Sequence, residues 1–208
     1  MTNFIAFNNY RMFEVFEQYI KKMIPTITKE QITLMQSKCI KKKLRKKEMV
    51  LQEGEVSMYK LFVVKGLLRN YSIADNGNEY IVRFADAGSW TTDPESYYSG
   101  LPSKYNIDAI EPSEVLMFSH DNYEALKQQI PALSSFSEMV ITANASFIQN
   151  RVLMNISATA EEKYIDFIHS FPHIFHRVPL HMVASYLGVS RETLTRVRQG
   201  LMIGAKDF

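Results

Sequence analysis

At 208 residues, with 46% apolar and 22% charged residues and a net charge of +2, the chain can build one large domain or two small ones around a real core. Its net charge is too small to announce a nucleic-acid partner, so charge placement must decide that question. The single cysteine, Cys39, excludes an internal disulfide and a four-thiolate iron–sulfur cluster within one chain and fits a cytoplasmic setting; with no run of eighteen apolar residues and no signal-peptide pattern at the start, no membrane partner is expected.

Residues 4–37 are helical in character, with Phe13, Phe16, Tyr19 and Ile20 recurring at helical spacing. From about residue 48 to 119 the period changes. Leu61–Val64, Leu67–Ile73, Tyr80–Phe84, Tyr105–Ile110 and Val115–Ser119 are short runs rich in β-branched and aromatic residues, separated by Gly, Asn, Asp and Pro turns. They predict antiparallel strands closing into a roll. Asp121–Gln129 is a short helix ended by Pro131, and Ala132 to Ile156 is a long helix free of Gly and Pro. On that helix Phe136, Val140, Ala143, Phe147, Asn150 and Met154 fall at alternating steps of four and three. This heptad spacing predicts a seam with a second copy of the chain, Asn150 holding its register; packing against the chain's own roll is the competing reading.

The segment 180–199 carries the strongest local signal. Val178 and Pro179 open a first helix, Ala184 is small where two helices cross, and Gly188 suits a turn that needs a positive φ. Ser190 is a helix N-cap. Val183, Leu187, Val189, Leu194 and Val197 supply the apolar faces of a helix-turn-helix. The second helix then presents Arg191, Glu192, Thr195, Arg196 and Arg198, with Ser190 and Thr193 at its start. An arginine there can bond guanine O6 and N7, and a glutamate can accept from cytosine N4; Arg198 and the hydroxyls suit phosphates. The expected partner is double-stranded DNA.

Ser190-Arg191-Glu192-Thr193-Leu194-Thr195-Arg196 resembles the recognition helix of the Crp/Fnr family, to which the catabolite activator protein belongs. The segments Gln52–Glu55, Val64–Arg69 and Pro102–Tyr105 are similar to its shorter members. The resemblance implies an α+β fold: an N-terminal antiparallel β-roll of the cyclic-nucleotide-binding jelly-roll type (1–130), a dimerisation helix (131–157) and a C-terminal helix-turn-helix domain (158–208). It implies a homodimer whose Arg191, Glu192 and Arg196 read bases. Cyclic-AMP-binding members carry a Gly-Glu and Arg-Ser phosphate cassette, whose positions fall at Thr92-Asp93 and Ser103-Lys104 here. Loss of the arginine removes the planar fork that grips a phosphate, so no cyclic-AMP response is expected. Trp90, Tyr97, Tyr98 and Tyr105 are either walls of a pocket for an unknown small-molecule effector or plain core.

The run Lys38, Lys41, Lys42, Lys43, Arg45, Lys46 and Lys47 reads as a solvated face, with flanking DNA or RNA polymerase as the sharper alternative. His169, His173, His176 and His181 do not complete a metal set, since Pro172 interrupts their helix. No cofactor and no catalytic grouping are expected. The reading is therefore a transcription regulator. The alternative is a small-molecule-binding or protein-interaction module on the roll with weak or lost DNA binding, kept open because only Gly200–Phe208 follows the second helix, leaving little for a β-wing.

Overall fold

In the computed structural model, residues 2–204 are described, with side chains described for 12–201. Helix α1 (Thr2–Met23) ends before Pro25, and α2 (Lys29–Lys38) restarts at Thr28, whose hydroxyl and Gln31 form a reciprocal capping box. The expected single helical region is thus two helices. The strands are β1 (Ile40–Leu44), β2 (Met49–Leu51), β3 (Tyr59–Lys65), β4 (Leu67–Ile73), β5 (Glu79–Asp86) and β6 (Trp90–Thr91); then come helix α3 (Pro94–Ser99) and strands β7 (Asn106–Ala109) and β8 (Ser113–Ser119). Five helices follow: α4 (His120–Gln129), α5 (Ala132–Ser157), α6 (Ala160–Ser170), α7 (Pro172–Phe175) and α8 (Leu180–Leu187). Last is α9 (Arg191–Gly204), so residues 200–204 continue a helix; 205–208, on which the expectation of a missing wing partly rested, lie outside the described residues.

Two four-stranded antiparallel sheets, ordered β1-β8-β3-β6 and β2-β7-β4-β5, make the jelly roll. Leu44, Leu61, Val63, Leu68, Ile107 and Val115 fill the space between them. The alternate residues Phe62, Val64, Leu116 and Phe118 point the other way, into a second core with Phe16, Ile20, Met35, Leu126 and Leu133 from the flanking helices. Burial on both faces is why β3 and β8 read as continuous apolar runs rather than alternating ones. By internal contacts the chain forms two compact units, Met1–Ser72 with Arg83–Ile141 and Ile73–Val82 with Thr142–Phe208. The division falls within α5 and places the tip of the β4–β5 hairpin in the second unit, whereas the boundaries expected at 130 and 157 follow helix ends.

Gly66, between β3 and β4, has φ +99°, and a Cβ there would lie 2.7 Å from the Ser113 Cα. Ser113 in turn accepts the Leu67 N–H at 3.1 Å. Gly188 also has positive φ but open space around it. Gly66→Ala should therefore cost ~3 kcal/mol, strain plus backbone clash, and Gly188→Ala only ~1 kcal/mol. Urea unfolding of both variants checks the order; equal losses would refute the close approach.

Candidate nucleic-acid interface

The helix-turn-helix is built from local rules. Gly188 closes α8 in the left-handed conformation, φ 68°, and its N–H bonds back to the last turn. The Ser190 hydroxyl accepts the Thr193 N–H at 3.1 Å and starts α9. Val183, Ala184, Leu187 and Leu194 are buried, Ala184 being small enough to let α9 cross α8. What remains outward on α9 is Arg191, Glu192 and Arg196, all exposed, beside half-buried Thr193, Thr195 and Arg198. Thr195 spends its hydroxyl on the Arg191 carbonyl at 2.8 Å, which leaves its oxygen free to accept but its proton committed. Glu192's own backbone N–H and the Ser190 hydroxyl hold its carboxyl below the ordinary range, with Arg191 and Arg196 adding to this. Among the described residues no carboxylate forms an ion pair with Arg191, Arg196 or Arg198.

In the roll, the two halves of the cassette do meet. Asp93 caps α3, its Oδ1 accepting the N–H groups of Glu95 at 3.1 Å and Ser96 at 3.4 Å, while Oδ2 accepts the Ser103 hydroxyl at 2.7 Å. Both residues are buried. Thr92 donates to the Tyr59 carbonyl at 3.0 Å and contacts the Ser57 hydroxyl at 3.1 Å. The side-chain oxygens of Thr92, Asp93 and Ser103 are thus all hydrogen-bonded within the chain. Lys104 points away, its side chain 73% exposed and paired with Glu95 at 3.2 Å. The aromatic residues offered as pocket walls are mostly core: Trp90 packs edge-on against Phe16 and Phe62, and Tyr97 is buried.

The expected seam on α5 is partly covered by the chain itself. Phe136 is 4% exposed and belongs to the roll's second core with Trp90 and Tyr19, and Val140 packs on the same cluster. Further along, the Phe147 ring meets Phe171 at 6.1 Å, and Asn150 and Met154 line a cleft with α6 and α8. Ala143 is exposed on the same side. The start of the heptad face is thus covered by the chain's own roll, while Ala143, Phe147 and Asn150 are exposed. The free apolar stripe is the opposite one: Ile141, Ile148, Val152 and Ile156, each at least half exposed.

Two functional-looking residues carried no sequence signal. Ser185 on α8 accepts the Ile81 N–H at 3.0 Å and donates to the Glu79 carbonyl at 2.6 Å. Arg151 on α5 donates to the Tyr186 carbonyl at 2.7 Å, the Ile81 carbonyl at 3.0 Å and the Val82 carbonyl. Side chain to backbone bonds of this kind leave no trace in periodicity. Of the basic run, Lys41, Lys42 and Lys43 lie on the edge strand β1, which pairs with β8; Lys43 pairs with Glu114 at 3.3 Å and Lys42 with Glu48 at 3.4 Å. The four histidines are exposed, and among the described residues no cluster of three metal-ligating side chains occurs. Burial pushes the Cys39 thiol up to about 11, so it stays protonated at neutral pH.

Asp93→Ala removes a cap and leaves the Ser103 hydroxyl without its acceptor. It should lower stability by ~2–3 kcal/mol, with Ser103→Ala costing less; a denaturant midpoint unchanged by Asp93→Ala would show that the closed cassette contributes nothing.

Residues 41–129 match the cyclic nucleotide-binding domain family. None of the curated proteins compared matches the chain. Among solved structures it is similar to FixK2 from Bradyrhizobium japonicum, with TM-score 0.70 and 19% identity over 80% of this chain and 86% of that one. It is likewise similar to CLP of Xanthomonas campestris, a c-di-GMP-responsive global regulator, with TM-score 0.72 and 12% identity over 86% and 93%. A third is a protein from Eubacterium rectale described as a transcriptional regulator of the Crp/Fnr family, with TM-score 0.67 and 15% identity over 86% and 85%. The second and third are described as regulators, and among the described residues no helix is long and apolar enough to cross a membrane.

Proposed function

Because the chain carries a cyclic nucleotide-binding domain on the fold of Crp/Fnr transcription regulators, we propose that it is a sequence-specific DNA-binding regulator that does not respond to cyclic AMP. The observation that carries this reading is the outward face of α9. Arg191, Glu192 and Arg196 are exposed, and neither arginine has an ion-pair partner among the described residues. Leaving strong cations without counter-ions on a rigid helix suits a polyanion that supplies them. Arg191 and Arg196 read guanine, Glu192 reads cytosine, and Arg198 with the Ser190 and Thr193 hydroxyls sets the register on the backbone. The protein works in the cytoplasm as a homodimer joined along the stripe of Ile141, Ile148, Val152 and Ile156, which leaves about one helical turn between half-sites.

Cyclic nucleotides are excluded by the Asp93–Ser103 bond at 2.7 Å. A cyclic phosphate entering there faces a carboxylate and must break a bond with nothing bidentate to replace it. Isothermal titration with cyclic AMP and cyclic GMP should give no binding heat; micromolar affinity for either would overturn this part of the reading.

On a site selected from random-sequence DNA, Arg191→Ala and Arg196→Ala should each cost ~1–3 kcal/mol of binding and relax one base position. Arg198→Ala should weaken all sequences alike and lower the salt slope by ~1. Unchanged affinity in both Arg191→Ala and Arg196→Ala removes α9 as the reader and favours the roll as a stand-alone interaction module. Val152→Glu should shift the sedimenting species from dimer to monomer; a dimer that persists unaltered places the interface elsewhere.

A further inference from the structure

Within the second compact unit, α5, α6 and α8 leave a cleft of about 170 Å³. Four aromatic rings stand along it. Phe171 meets Phe147 at 6.1 Å, Phe167 at 5.3 Å and Tyr186 at 5.8 Å, at tilted or edge-on angles. These faces are apolar, but the charges beside them do not balance: the lining includes Arg151, Lys163 and Asp166, two cations and one anion. Arg151 is the telling member. Its terminal nitrogens go to backbone carbonyls of Ile81, Val82 and Tyr186, and its Cζ lies 4.0 Å over the Tyr186 ring. No carboxylate forms an ion pair with it among the described residues, and its Nε–H is buried without any hydrogen-bond acceptor. Burial weakens its hold on the proton, as expected of a guanidinium whose charge is stabilised only by dipoles and a π-face.

A buried donor without an acceptor is costly, and a half-buried cation attracts a counter-ion more strongly than an exposed one. An anion in the cleft would supply the missing counter-charge. Asp166 limits the choice, since a second negative group would meet it. The volume limits it further: an apolar cavity of about 150 Å³ accepts one benzene ring. We propose that this cleft is a binding site for a small aromatic monocarboxylate, its ring against Phe147, Phe171 and Tyr186 and its carboxylate toward Arg151 and Lys163. The site lies outside the roll cassette and stands whether or not α9 reads DNA. Because its walls include the first helix of the helix-turn-helix, an occupant would bear directly on that helix.

Benzoate is the probe, and benzyl alcohol is its neutral counterpart of matching ring size. Titrating the full chain by ligand-observed NMR should give saturable benzoate binding, at least tenfold tighter than benzyl alcohol because the charge-assisted bond is lost in the alcohol. Ser170→Trp, at the cleft rim, should abolish benzoate binding while the circular dichroism spectrum and melting temperature stay close to those of the parent. Lys163→Gln should weaken it several-fold. The proposal falls if the parent chain shows no saturable benzoate binding, if benzyl alcohol binds equally well, or if the folded Ser170→Trp variant binds benzoate like the parent.

Discussion

A sheet buried on both faces sets the terms for everything else in this chain. Because β3 and β8 must satisfy one core between the sheets and a second beneath the helices, α1, α2, α4 and the start of α5 have no freedom to leave the roll. Leu133 and Phe136 pin the first turns of α5 into that second core.

The same logic accounts for the roll's closed cassette. In a ligand-binding roll the polar groups at the α3 end must be held apart, each waiting for an outside partner. Here Asp93 is shared between the α3 cap and Ser103, and Thr92 and Ser57 close the next pair. Thr92, Asp93 and Ser103 thus meet their desolvation cost within the chain. Buried side-chain atoms without a hydrogen-bond partner among the described residues do occur in the roll, at Trp90 Nε1, Tyr97 OH and Asn106 Nδ2, as well as at Arg151 Nε.

How much of this was legible in the residues follows from how local each signal is. The turn at Gly188, the cap at Ser190 and the exposed arginines depend on neighbours within a few positions, and the helix-turn-helix could be read directly. Strands β3, β4, β5, β7 and β8 were legible for the same reason, whereas β1, β2 and β6 were not anticipated, nor was α3 despite Asp93-Pro94 at its start. The start of the seam on α5 went unrecognised as core because a heptad states only that one face is apolar. It does not say whether another chain or the same chain covers that face, and at Phe136 the cover is the roll's own second core. The cassette positions were found by resemblance, yet their mutual hydrogen bond needed coordinates, since nothing in Asp93 or Ser103 alone says that the other is 2.7 Å away. Ser185 and Arg151 were invisible because their partners are backbone groups far off in the chain, Glu79 and Ile81, 106 and 70 positions away respectively.

Those two residues also bear on how the protein keeps its own copies apart. Strand β5 ends its sheet, β2-β7-β4-β5, and the free side of an end strand is a template on which another chain can add itself. Ser185 occupies the Glu79 carbonyl and the Ile81 N–H, and Arg151 occupies the Ile81 and Val82 carbonyls. The hydroxyl and the guanidinium stand where a neighbouring strand's backbone would be. With those groups taken, a segment as apolar as Tyr80–Val82 can sit at a sheet margin without offering a foothold for strand addition or fibril growth.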